Sequence, residues 1–155
     1  MSDITSQLRT DLTASMRDRD EVTVAALRLA IAAITKAEVA GKQPVTLTDE
    51  QVVEVLRREG KKRGEAAELY EQGQRTELAE RERAQAAVLE RYLPAEMDDA
   101  QLESIVAEEV DAARGSGAEG GKAMGQVIKA VRARVGADAS GGRVAAAVKA
   151  ALGQG

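Results

Sequence analysis

The chain has 155 residues, 44% of them hydrophobic and 31% charged, with a net charge of −4; this suits one compact domain or two small helical lobes that remain in solution. It contains no Cys and no His, which excludes a disulfide framework, a thiolate nucleophile, a Ser-His-Asp triad and imidazole ligation of a metal. Phe and Trp are absent too, and Tyr70 and Tyr92 are the only aromatics, so the core has to be built from Leu, Ile, Val, Ala and Met.

Strong helix formers dominate and no alternating apolar run marks a strand, so the fold class expected is all-α. Ser2 or Asp3 is placed to cap a first helix striped by Ile4, Leu8, Leu12 and Met16. A second helix follows Asp20 with Val24, Leu27, Ile31 and Ile34, ending near Gly41, and a loop containing Pro44 leads to Leu47. Thr48-Asp49-Glu50-Gln51 has the form of a capping box, with Leu47 and Val52 as its hydrophobic staple. It opens a long third helix through Val53, Leu56, Ala67 and Tyr70 to about Gln72, where Gly73 is the expected stop. A fourth helix starts at Thr76 and carries Leu78, Ala86 and Leu89. It ends at Tyr92-Leu93-Pro94, because Pro disfavours a helical residue before it.

Asp98 then caps a fifth helix with Leu102, Ile105, Val106 and Val110, closed by Gly115-Ser116-Gly117. Gly120-Gly121 lead into a sixth, with Met124, Val127, Ile128, Val131 and Val135. After Gly136 and the Ser140-Gly141-Gly142 turn, a short seventh offers Val144, Val148 and Leu152. The expected organisation is four helices over residues 1–95 and three over residues 96–155. No apolar stretch has the length of a membrane span and Met1-Ser2-Asp3 is unlike a signal peptide, so the cytoplasm is the expected location and no membrane partner is expected.

Three charges fall where apolar side chains are expected. Arg63 projects within the stripe of the third helix, whereas Arg57, Arg58, Lys61 and Lys62 fall opposite it and are expected in solvent. Glu38 falls among Leu27, Ile31 and Ile34, and Glu82 between Leu78 and Leu89. Charges in such places are normally paired and hydrogen-bonded, so Glu38, Arg63 and Glu82 are expected to form a partly buried structural cluster. Two carboxylates beside an Arg would also suit acid–base chemistry. No nucleophile or substrate cradle accompanies them, however, and no catalytic residue, metal site or cofactor is assigned.

The second lobe is lopsided. Residues 98–111 carry Asp98, Asp99, Glu103, Glu108, Glu109 and Asp111 and no basic side chain, whereas residues 112–155 carry seven basic side chains against Glu119 and Asp138. Lys122, Lys129 and Arg132 lie together roughly opposite the apolar face of the sixth helix, with Arg134 flanking the core. With Arg143 and Lys149 of the seventh helix they are candidate contacts for a phosphate backbone. The lobe has no aromatic platform for stacking bases, so any such contact should follow RNA shape and backbone. The same charges would equally suit solvation or pairing with the acidic fifth helix. Gly120-Gly121-Lys122 lacks the upstream Gly spacing and following Ser/Thr of a phosphate loop and is read as a helix start.

A string of short motifs remains: Leu27-Arg28 with Ala33-Ile34, Lys61-Lys62-Arg63 with Glu65, and Tyr70, Gly73, Arg75, Leu78-Ala79 and Glu82. It continues through Tyr92-Leu93-Pro94 to Met124-Gly125 with Val127 and Lys129, and closes on Gly142, Val144, Val148-Lys149 and Leu152. In combination these resemble the YqeY family, whose members are similar to the tail domain of GatB, a component of the tRNA-dependent amidotransferase. The resemblance covers nearly the whole chain and implies an all-helical fold of two lobes. It also implies contact with tRNA or another structured RNA, and amidotransferase or synthetase subunits as partners. In that carbon–nitrogen ligase system, which takes its amide from glutamine, the chemistry belongs to other domains, so only the tail-like part is represented here. The family often has a polar or acidic residue before Met-Gly, where this chain has Ala123. A protein-interaction adaptor with no RNA contact is the alternative.

Overall fold

A computed structural model describes residues 1–153. In order, these form α1 (Asp3–Asp18), α2 (Glu21–Glu38), α3 (Asp49–Gln72), α4 (Thr76–Glu90), α5 (Asp99–Gly115), α6 (Gly120–Val135) and α7 (Gly141–Gly153), with a short 3-10 turn at Gly136–Asp138. No strand occurs among the described residues, so the fold is all-α. None of the helices is long and apolar enough to cross a membrane. The chain divides into two compact units between Leu93 and Pro94, each with its own apolar core.

In the N-terminal unit the helix starts follow the local chemistry. Ser2 accepts the Thr5 N–H at 3.0 Å to open α1, and Asp20 accepts both the Thr23 N–H and its hydroxyl to open α2. Those two bonds hold the Asp20 carboxyl below its ordinary range. Thr48 and Gln51 exchange the reciprocal bonds of a capping box at the start of α3. The core closes on Leu8, Leu27, Ile34, Leu56 and Leu89, all essentially inaccessible to solvent, with Leu93 and Tyr92 packed against it.

α3 and α4 form a helical hairpin whose connection differs from the expected one. Gly73 does cap α3, but with an ordinary φ of −84°. The left-handed residue is Gln74, at φ 59°, and the next N–H, of Arg75, donates to the Tyr70 carbonyl at 2.7 Å. Every residue from 71 to 78 is exposed. Leu78 has the right helical phase but sits in this uncovered end, so it is exposed, and the core face of α4 is instead Ala79, Gln85, Val88 and Leu89. Met16, near the end of α1, is likewise exposed.

In the C-terminal unit α5, α6 and α7 pack on one another. Asp98 and Gln101 form a second capping box at the start of α5, and the Met97 N–H donates to the Asp138 carbonyl at 2.7 Å, tying the unit's entry to the 3-10 turn. Its most deeply buried side chains are valines: Val106, Val127, Val131, Val144 and Val148.

Candidate nucleic-acid interface and the buried ion pair

On α6 the buried positions are Ala123, Val127, Val131 and Val135, a strict i+4 row that commits one side of the helix to the core. Lys122, Lys129 and Arg132 are exposed and span about 15 Å of helix axis. Among the described residues none of the three has a carboxylate at ion-pair distance, and neither does the exposed Lys149 of α7. The Arg132 guanidinium rests against Gly141, where an added Cβ would lie 3.7 Å from its Cζ.

The two remaining arginines of this face have partners. Arg134 Nη1 lies 2.7 Å from Glu108 and 3.2 Å from Glu109, and those bonds make its proton still harder to remove. Arg143 reaches from α7 to Asp99 at 2.9 Å and Glu96 at 3.5 Å. The acidic α5 thus engages Arg134 and Arg143, leaving Lys122, Lys129, Arg132 and Lys149 facing solvent.

Of the three charges expected to cluster in the N-terminal unit, two are close together. Arg63 Nε lies 3.5 Å from Glu82 Oε2, with the side chains 22% and 18% exposed. Both atoms are withdrawn from water without hydrogen-bond geometry between them, so their attraction is Coulombic. The Glu38 carboxylate acts elsewhere, accepting the Leu47 N–H at 3.3 Å, while the Glu38 carbonyl accepts that of Val45 at 2.9 Å. Glu38 thereby fastens the loop between α2 and α3.

Arg57 departs from its expected place in solvent. It follows Val53 by one turn, and Val53 and Val55 are buried along with Val52 and Leu56, so the apolar face of α3 is wider than the expected stripe and draws Arg57 in. Its side chain is only 10% exposed, with Glu54 at 3.9 Å. Arg58, Lys61 and Lys62 lie outside the buried face, as the helical wheel requires.

A further polar contact joins residues that sequence spacing does not connect. The Tyr92 hydroxyl donates to Asp11 Oδ2 across 81 positions. Burial, followed by this bond and the Asp11 charge, pushes the Tyr92 phenol well above its ordinary pKa. Tyr-Leu-Pro is therefore a fastening of the α4 end to α1 as well as a helix stop.

The profile of the YqeY family, described as Yqey-like protein, matches residues 5–152. The chain belongs to the YqeY family. The match takes in both units of this YqeY chain, including the ion pair of α3 and α4 and the cations of α6. A protein of Schizosaccharomyces pombe, described only as uncharacterized, is 36% identical over 87 residues, covering 56% of this chain and 69% of the relative.

Proposed function

We propose that this YqeY-family protein is a GatB/YqeY-like accessory module that contacts tRNA or another structured RNA in the cytoplasm. It would serve the glutamine-using amidotransferase system, or an associated synthetase, without a catalytic site of its own. The observation that carries the reading is the set of four exposed cations, Lys122, Lys129, Arg132 and Lys149, that have no carboxylate at ion-pair distance among the described residues. In a chain of net charge −4, such a local excess of positive charge favours a polyanion through release of its counterions. Arg143, committed to Asp99 and Glu96, would serve mainly to hold α7 in place beside them. The similarity of the family to the GatB tail supports tRNA as the polyanion, and the want of Cys and His narrows the chemistry the chain can perform unaided.

The test is the affinity for labelled tRNA, followed by fluorescence anisotropy as potassium chloride is raised. Lys129→Glu with Arg132→Glu is expected to weaken binding at least about tenfold and to lower the log–log salt slope by about two. Binding that is absent at low salt, or that the double variant leaves unchanged, sinks the proposal in favour of a protein adaptor. Purified protein supplied with misacylated tRNA, glutamine and ATP is expected to form no amide product.

A further inference from the structure

The N-terminal unit carries a trough of about 530 Å³ between α2 and α3. Its floor is a row of small side chains, Ala33 and Ala37 on α2 and Ala40 just past the end of that helix, entered past Leu29 and Ala32. Leu29 is 38% exposed and Ala32 is exposed as well, so apolar surface from Leu29 to Ala37 lies along about two helical turns. Val55 of α3 closes the bottom. The walls are basic on both sides: Lys36 rises from α2, and Arg58 and Lys62 from α3. The single carboxylate in the lining, Glu59, is held by Lys62 at 3.0 Å, which leaves Lys36 of α2 and Arg58 of α3 in the lining without a carboxylate at ion-pair distance among the described residues.

We infer that this trough docks an acidic amphipathic helix of a partner protein. A row of alanines lets a third helix approach α2 closely, as small residues do wherever helices pack at short distance. An occupant with an apolar stripe at i, i+4, i+7 and i+11 covers Leu29 and the alanines. Because the cations stand on both walls, its stripe has to be flanked on both sides by Asp or Glu, one row meeting Lys36 and the other Arg58. The alanine floor offers no aromatic face on which a base would stack, so a peptide suits it better than a nucleic acid strand. This surface shares no residue with the cations of α6 and α7, so its fate is independent of the RNA proposal.

The full chain is titrated into a fluorescein-labelled synthetic helix of about four turns, with Leu along one stripe and Glu on both flanks. A counterpart carrying Lys in place of every Glu serves as control. The Glu peptide is expected to bind at least about tenfold more tightly than the Lys peptide, with the difference shrinking as salt rises. Ala32→Glu, a surface change that leaves the core intact, is expected to abolish binding. Lys36→Glu with Arg58→Glu is expected to reverse the preference between the peptides, with circular dichroism unchanged in both variants. Failure of the Glu peptide to bind, equal binding of the two peptides, or indifference to Ala32→Glu overturns the inference. So does displacement of the Glu peptide by an oligoribonucleotide as readily as by unlabelled peptide, which would give the trough to nucleic acid instead.

Discussion

In the N-terminal unit, charge is drawn inward: Arg63 meets Glu82 at 3.5 Å with both contact atoms shut off from water, and the Tyr92 hydroxyl reaches Asp11. In the C-terminal unit it stays outside, where Arg134 and Arg143 meet the carboxylates of α5 and its approach while Lys122, Lys129 and Lys149 meet none among the described residues. The cores differ in the same sense. The first is filled by Leu and Ile reaching in from all four helices, the second by valines repeated at i+4 on α6 and α7. A withdrawn ion pair acts on folding, since removing one partner strands the other in a poor solvent for charge. An exposed cation contributes little to folding and remains available to a partner. The first unit is thus the place to look for charge changes that alter stability, and the second for charge changes that alter association.

The largest effect expected from this contrast follows Glu82→Leu, which leaves Arg63 facing apolar neighbours. Because the pair is partly exposed, the loss should be about 2 kcal/mol, less than for a fully buried pair. Urea unfolding should show it, and Arg63→Met combined with Glu82→Leu should recover most of it; additive losses in the double variant would mean that the two groups do not interact. Next comes Tyr92→Phe, expected to cost about 1–2 kcal/mol through the lost bond to a charged acceptor. This change also carries a pH signature. The folded state favours the neutral phenol, so the Tyr92 contribution is complete below the ordinary tyrosine value near 10 and disappears as pH climbs through the raised folded value. The variant should therefore lose part of the alkaline fall in stability, and an unchanged alkaline profile would contradict the burial argument.

A smaller and evenly matched pair of effects is expected at the two capping boxes. Thr48→Ala and Asp98→Ala should each cost about 1 kcal/mol. Amide hydrogen exchange should locate the first loss in α3 and its neighbours and the second in α5 and its neighbours. Spread of either loss across both units would break the distinction between them. The smallest effect is expected from Arg134→Gln, since its bonds to Glu108 and Glu109 lie in solvent; the thermal midpoint should be nearly unmoved.

The helices are legible in the sequence because their signals are local. Ser2, Asp20, Thr48 and Asp98 each stand one residue before the helix they cap, and the apolar phase of α2 and α6 follows from 3.6-residue periodicity. Less is visible where a second element decides the outcome. Leu78 has the phase of Leu89, yet lies in the exposed end of the hairpin. A single narrow stripe through Val52, Leu56, Ala67 and Tyr70 puts Arg57 in solvent, whereas Val53 and Val55 are buried beside it and widen the face. At Gly73 the residue type signals a stop, but Gln74 takes the left-handed conformation. Among the charged residues, the lopsided charge of the second lobe is plain from composition. Which cations α5 engages depends on how its helices face each other, and a linear pattern does not contain that. The contact of Asp11 with Tyr92 and the trough of α2 and α3 belong to the same class.

The position of Tyr92 and Leu93 has a consequence for biosynthesis. They are the last side chains to join the N-terminal core, and the chain passes into the other unit immediately afterwards, at Pro94. Everything that core requires has therefore been translated before α5 begins, and the first unit can close as soon as Leu93 clears the ribosome. The Asp11–Tyr92 bond joins the two ends of that unit, tying α1 to the turn that follows α4.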